Sequence, residues 1–152
     1  MRWILTSLVT LVIGVVVLAA CEGEGSVSSL KVGDCYNGPS NKEYRKITDI
    51  EIELVSCDEP HDDEVYAVFE LTDSSWKGDD YVWEKARIGC RARFEAFVHI
   101  EPEISRYDVN IIYPLEEGWK ERGNRQVRCS VIEVDIYGRD TKVTGSAKGS
   151  SR

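Results

Sequence analysis

The side chains that could do chemistry are densest in "VSCDEPHDDEVYAVFEL", residues 55–71. The candidate cation ligands are its one histidine and four of its six acids: His61, Glu64, Asp58, Asp62 and Asp63. Imidazole and carboxylate suit zinc or manganese, so a divalent cation site is one hypothesis. The chain has no pair of histidines at helical spacing and no Asp-rich calcium loop. The pattern therefore favours no metal and no cofactor, with a turn at Pro60 and His61 and the acids as a solvated rim.

Hydrolysis is the main alternative for the same region. Serine and cysteine hydrolases need a histidine oriented by a third group, and the chain offers only His61 and His99. A pair of carboxylates acting on a sugar stays open, because a sequence does not show how far apart two acids lie in space. We expect a non-enzymatic protein. The alternative is a cell-wall-active or metal-dependent hydrolase that uses His61 and Glu64.

The N-terminal segment has the layout of a bacterial signal peptide. Arg2 precedes an almost wholly apolar run from Trp3 to Leu18, and "LAAC" ends the segment at Cys21. This tetrad resembles a lipobox, in which the cysteine receives a lipid and the chain is cut before it. We predict a lipoprotein signal peptide over residues 1–20 and a lipid anchor on Cys21, at the extracytoplasmic face of the cell membrane. The alternative is an uncleaved transmembrane helix, since the apolar run approaches the roughly 20 residues that span a bilayer.

The remaining cysteines predict a disulfide-linked domain. They are Cys35, Cys57, Cys90 and Cys129. An even number in an exported domain is typical of disulfides, and no C-x-x-C pair points to zinc or redox chemistry. Sequence alone allows three pairings. We favour Cys35 with Cys57 and Cys90 with Cys129, because each pair joins segments that the hydrophobic pattern places side by side.

The charge balance excludes one class of partner. Removing residues 1–20 takes away Arg2 and no acid, which leaves 18 basic and 27 acidic residues and a net charge of −9. Such a chain is repelled by nucleic acid and by anionic headgroups. We therefore predict no nucleic-acid partner and a membrane attachment made by the lipid.

Hydrophobic periodicity predicts an α+β fold: a small antiparallel β-sheet with one packed amphipathic helix and two disulfides. A short strand is expected within residues 30–36, and longer strands near residues 50–57, 64–71, 107–114 and 126–137, the last with a bulge or bend. Asp79 or Asp80 is placed to cap the helix. Its apolar stripe recurs at steps of three and four: Trp83, Ala86, Cys90, Phe94 and Phe97.

Two tryptophans and an arginine are further candidate site residues. Trp76 and Trp119 lie in segments rich in glycine and charge and could form an exposed platform for a sugar or a protein partner. The alternative, which we favour, is that they fold back over a small core. Arg125 is expected to pair with Glu64 or Asp63 and to join the two halves of the domain.

The composition divides the chain into four parts. After the signal segment, residues 21–30 are predicted to be a flexible tether, because "EGEGSVSS" lacks periodicity. Residues 31–140 form the domain. Residues 141–152, with "TGSAKGSSR", are predicted to be a flexible tail.

Several of these motifs together resemble the septum-formation domain family of actinobacterial envelope proteins. They are "VGDC", the segment of residues 55–71, "YP" followed by Trp119, "GNRQVRC" and the "TGSAKGS" tail. The resemblance runs from Val32 to Ser150, and its most specific part is the segment from Cys57 to Tyr66. Asn124 and the Ala147-Lys148 pair depart from the family pattern.

The resemblance implies a membrane-anchored module outside the cytoplasm, linked by its name to division. It brings no catalytic residue, metal or ligand with it. We expect a binding or scaffold role at the cell envelope, with an envelope or division protein as the partner. His61, Glu64, Trp76, Trp119 and Arg125 are the residues expected either to bind that partner or to brace the fold.

Overall fold

The computed structural model describes residues 23–38 and 50–152. The predicted signal segment and the lipidation site at Cys21 lie outside the described residues. Within the described part, no helix is long and apolar enough to span a bilayer. The strands are β1 Gly23–Ser26, β2 Cys35–Asn37, β3 Glu51–Val55, β4 Asp63–Glu70, β5 Tyr107–Ile112, β6 Gln126–Val134 and β7 Asp140–Thr141. The helices are α1 Asp79–Val98 and α2 Glu116–Glu121, with 3-10 turns at Val27–Ser29 and Pro102–Ile104.

The strands form one curled antiparallel sheet in the order β1-β3-β2-β4-β6-β5, with β7 paired to the end of β6. Strands β1 and β5 are therefore its opposite edges. The predicted mixed α+β fold, with one long helix and two disulfides, is confirmed.

One face of the sheet packs against α1. The buried stripe of the helix repeats at helical spacing and consists of Val82, Ala86, Cys90, Phe94, Phe97 and Val98. It meets Val127, Cys129 and Val131, which alternate along one face of β6. The Cys90–Cys129 disulfide joins the centre of the helix to the centre of the strand. The helix ends where His99 takes a left-handed conformation, with φ 67°.

The other face of the sheet has a second apolar core, formed by Val27, Leu30, Tyr36, Ile52, Val65 and Ile112. Val27 and Leu30 come from the segment that was expected to be a flexible tether. That expectation was wrong for residues 23–30, because both side chains are buried and β1 pairs with β3. Gly25 permits this pairing, since a Cβ there would lie 3.0 Å from the Leu54 side chain.

Other local expectations also need correction. The segment between β5 and β6, expected to be a loop, contains α2, which buries Trp119. The bulge lies in β4, between Val65 and Ala67, and not in β6. The N-cap of α1 is Gly78, while Asp79 and Asp80 occupy the first turn, where their charge suits the helix dipole.

Candidate functional site

The C-terminal tail, residues 142–152, is bound along the domain instead of forming the flexible tail that was expected. Its backbone N–H groups donate to carbonyl oxygens of the domain: Gly145 to Cys57 at 2.6 Å, Gly149 to Phe97 at 2.7 Å and Ser151 to Val98 at 2.8 Å. Ala147 is buried against the α1 core. Composition did not predict this, because the contacts are backbone hydrogen bonds to distant residues, which leave no pattern in the tail itself.

His61 holds the start of the tail. Its N–H and C=O each pair with Val143 at 3.0 Å, and its ring is 0% exposed. Nδ1 lies 2.9 Å from the Glu59 carbonyl oxygen. A carbonyl only accepts, so Nδ1 carries the proton and Nε2 faces inward without a hydrogen-bond partner among the described residues. The expected turn lies earlier, at Ser56–Glu59, where the Glu59 N–H donates to the Ser56 carbonyl at 2.9 Å.

Glu64 holds the middle of the tail. Its carboxylate is 3% exposed and accepts two hydrogen bonds, from the Ser146 hydroxyl at 2.5 Å and from the Ala147 N–H at 2.6 Å. Hydrogen bonds to a charged group are the stronger kind, so this buried carboxylate is a strong attachment point. His61 and Glu64 therefore hold the tail against the start of β4, and the tail covers the side chain of Glu64.

The acids of this region do not converge on a cation. Asp63 and Glu64 are neighbours in β4 and point to opposite faces of the sheet, because side chains alternate along a strand. The atoms that do cluster are Cys35 Sγ, Cys57 Sγ and a Glu64 oxygen. Both sulfurs are in a disulfide, which removes them as metal ligands. The observed geometry thus gives the divalent cation hypothesis no support.

Asp63 belongs to a buried polar network that the sequence did not reveal. It accepts a hydrogen bond from Asn110 Nδ2 at 2.8 Å, and Tyr36 Oη lies 3.1 Å from Ser130 Oγ. Burial raises the pKa of Asp63 to about 7, although hydrogen bonds from Asn110 and Tyr36 oppose the shift. Near neutral pH this carboxyl is therefore close to half protonated.

A buried arginine fixes the N-terminal segment to the same face of the sheet. Arg128 donates to the carbonyl oxygens of Ser28 and Leu30 and to Gln126 Oε1. Burial lowers the pKa of this guanidinium. These bonds attach the residues after β1 to the middle of β6.

Both predicted disulfides are present. Cys35–Cys57 joins the first residue of β2 to the turn that follows β3, and Cys90–Cys129 joins α1 to β6. The favoured pairing is confirmed. Disulfides persist in oxidising compartments, so the domain is extracytoplasmic.

Trp76 and Trp119 lie together, with ring centroids 5.6 Å apart in an edge arrangement. Trp119 is 3% exposed and Trp76 is half-buried, so the pair covers the core and is not an open platform. Arg125 stacks on Trp119, with its guanidinium carbon 3.8 Å from the ring centroid.

The expected pairing of Arg125 with Glu64 or Asp63 was wrong. Arg125 instead donates to backbone carbonyl oxygens, of Trp119 at 2.9 Å and of Asp73 at 3.3 Å. It therefore ties α2 to the loop before α1. Glu64 and Asp63 are already hydrogen-bonded elsewhere, to the tail and to Asn110.

Among the described residues, the most exposed large apolar side chains lie in the hairpin between β6 and β7, at residues 135–139, which we call the hairpin tip. Ile136 is 91% exposed and Tyr137 is 75% exposed. Asp135 fixes the hairpin tip, since its carboxylate accepts from the Tyr137 and Arg139 N–H groups at 2.8 and 3.0 Å. Ile104, 69% exposed, is placed at the same end of the sheet, two residues before Arg106, which pairs with Glu133.

Fold and disulfides define an exported, disulfide-linked α+β domain with a bound tail. The comparison with protein families gives a narrower result: residues 100–152 match the model described as Septum formation. This confirms the resemblance over that third of the chain, which contains β5, α2, β6, β7 and the tail. No curated protein matched the chain. No solved structure matched it either.

Proposed function

We propose that the protein is a lipid-anchored, non-enzymatic binding module of the cell envelope that acts in septum formation. The observation that supports this proposal is that the matched residues 100–152 include the edge strand β5 and the hairpin tip, and bear the most exposed large apolar side chains among the described residues. Exposed, large apolar side chains on a well-ordered hairpin are typical of protein interaction sites. The extracytoplasmic disulfides agree with this location.

The partner that fits the hairpin tip is an envelope protein with an apolar recess. Ile136 and Tyr137 supply an aliphatic and an aromatic anchor, and Tyr is enriched at such contacts. Arg139 lies over the Tyr137 ring at 5.0 Å and pairs with Asp135, so the charges around the tip are already balanced. Recognition would therefore depend on apolar burial more than on charge.

Burial of His61 and Glu64 favours this function over the hydrolase. A general base or nucleophile has to reach the substrate within hydrogen-bond distance. His61 is 0% exposed and Glu64 is covered by the tail, so neither meets a substrate while the tail is bound. Loss of turnover on peptidoglycan fragments in a His61→Ala variant that still folds would favour the hydrolase instead.

A photoreactive residue at position 137 in growing cells tests the proposed partner contact. The expected result is one repeated protein adduct that belongs to the envelope or division apparatus. Position 88 is the matched control, because Ile88 on α1 is also exposed, at 51%, but lies outside the matched residues. Equal adducts from both positions, or no adduct from position 137, would contradict the proposed contact.

A further inference from the structure

The position of β1 relative to Cys21 fixes how close the domain lies to the membrane. Strand β1 begins at Gly23, two residues after Cys21. Two residues of fully extended chain span about 7 Å. A lipid on Cys21 would thus leave almost no free chain between the bilayer and the sheet. An uncleaved helix ending at Ala20 would add one residue, for a reach of about 10 Å.

Strand β1 belongs firmly to the folded domain. Its four residues pair with β3 from Gly23↔Leu54 to Ser26↔Glu51, and the Val27 N–H donates to the Ile50 carbonyl at 3.1 Å. The segment that follows is held by the buried side chains of Val27 and Leu30 and by Arg128. Pulling β1 and the following segment away to make a longer tether would expose these apolar groups and would take the Ser28 and Leu30 carbonyl partners from the buried Arg128, which is costly.

The strand register shows at which end of the sheet the chain before Gly23 leaves it. Gly23 lies opposite Leu54, and Leu54 lies opposite Tyr36. The chain before Gly23 therefore leaves the sheet at the end where β3 stops and β2 starts. Two turns form this end, which we call the anchor end: residues 31–34 and residues 56–59. The Cys35–Cys57 disulfide joins them.

We propose that the anchor end rests directly on the lipid headgroups, which holds the domain in one orientation; this rests on the membrane attachment at residues 20–21 proposed above. The occupant of this surface is the bilayer of the protein's own anchor. The opposite edge of the sheet is β5, with the β6–β7 hairpin beside it, and four strands (β3, β2, β4 and β6) separate it from β1. Fixed orientation would keep β5 and the hairpin tip turned to partners.

The short chain between Cys21 and β1 produces this contact, and electrostatic attraction to the headgroups does not. The exposed charges of the anchor end are Lys31 against Asp58 and Glu59, with Asp34 half-buried, so the surface is net acidic. Anionic headgroups would repel it. The exposed side chain of Val32, at 57%, supplies little apolar area. A longer linker should therefore release the domain from the bilayer.

The test uses the full chain, purified from membranes and reconstituted in vesicles of phosphatidylcholine and phosphatidylglycerol that contain a lipid with a photoreactive headgroup. Adducts are mapped by mass spectrometry, and the control has a Gly/Ser linker of about 12 residues inserted before Gly23. We expect adducts on residues 31–34 and 56–59 that fall severalfold with the linker. The proposal would be overturned if the linker left the adduct yield unchanged. It would also be overturned if neither protein formed adducts on the two turns.

The same sample separates this inference from the proposed function. The intact mass of the N-terminus shows whether Cys21 carries a diacylglycerol or whether residues 1–20 are retained. Retention would remove the lipid anchor from the proposed function, while the headgroup adducts would still decide the position of the anchor end.

Discussion

At the scale of single residues, Glu64 explains how a segment rich in glycine and serine is ordered. Its carboxylate satisfies a hydroxyl and a backbone N–H of the tail in a place where water has little access. His61 adds two backbone hydrogen bonds at Val143. Residues 55–71, the stretch richest in chemically reactive side chains, therefore form the binding surface for the tail.

Replacement of Glu64 by Ala should loosen the tail. The buried Ala147 N–H would lose its acceptor, at a cost of about 2–3 kcal/mol in the free energy of unfolding. Hydrogen exchange should show faster exchange of the amides of residues 145–151. Glu70→Ala is the matched control, since Glu70 is an exposed acid on the same strand. Unchanged exchange in the Glu64 variant would contradict the assigned role.

Asp63 should make the protein less stable as the pH rises. Its pKa is about 7 in the folded state, against an ordinary value of 3.8 in the unfolded chain. The folded state therefore keeps the proton in this range while the unfolded state releases it. Stability is fully present below pH 3.8 and is lost progressively up to about pH 7, by at most about 4 kcal/mol for this group.

The variant Asp63→Asn isolates this effect. Urea unfolding at pH 4.5 and at pH 7.5 should show that the variant gains stability relative to the native protein at the higher pH, by about 2–4 kcal/mol. Asp62→Asn, at the half-buried neighbouring position, controls for the loss of one surface charge. Equal differences at the two pH values would show that Asp63 does not titrate in this range.

Arg125 should contribute to stability through Trp119 and the loop carbonyls. Arg125→Ala removes a stacked guanidinium and its hydrogen bonds to Trp119 and Asp73, for an expected loss of about 1–3 kcal/mol in thermal or urea unfolding. Arg122→Ala, which removes an exposed arginine with an ion pair to Glu117, should change stability by less than about 1 kcal/mol. Equal effects of the two substitutions would contradict the proposed role of Arg125 in joining α2 to the loop before α1.

At the scale of elements, strong periodicity made β3 and α1 predictable. Ile52 points inward between the exposed Glu51 and Glu53, and the apolar stripe of α1 meets the sheet as its spacing indicated. The disulfide pairing followed from the same elements. Strand β1 and the tail were not predictable, because glycine and serine carry no periodicity and their backbone bonds depend on partners far along the chain.

The site was less predictable than the fold, for the same physical reason. The partners of Arg125 are carbonyl groups, which every residue has, so charge alone pointed wrongly to Glu64 and Asp63. The network of Asp63 with Asn110 joins two strands that are not adjacent in the sheet. The exposed hairpin tip is visible only once the surrounding apolar residues are seen to be buried.

Gly89 tests the contact between α1 and the sheet. A Cβ at this position would lie 2.3 Å from Cζ of Phe69, so helix and strand approach closely there. Gly89→Ala should destabilise the protein by about 1–3 kcal/mol despite the better helix propensity of alanine. The double variant Gly89→Ala/Phe69→Leu should recover much of this loss. A Gly89→Ala protein more stable than the native one would refute close packing at this point.

At the scale of the whole molecule, the two proposed contacts, with the membrane and with a partner protein, lie at opposite edges of the sheet. The edge formed by β1 leads to the proposed membrane anchor, and the edge formed by β5 and the hairpin tip carries the match to the septum-formation family. The disulfide Cys35–Cys57 joins β2 to the turn after β3, which is the neighbour of β1, and Cys90–Cys129 joins α1 to β6, which is the neighbour of β5. Such a layout suits a module that is held at the membrane and binds a partner outside the cell.

The most direct test of the proposed role is the position of a tagged full-length chain in dividing cells. We predict enrichment at the division septum, lost in the double variant Ile136→Ser/Tyr137→Ser and kept in the matched control Ile88→Ser, with all three proteins present at equal amounts in the membrane. An even distribution of the native chain around the cell envelope would contradict a role in septum formation.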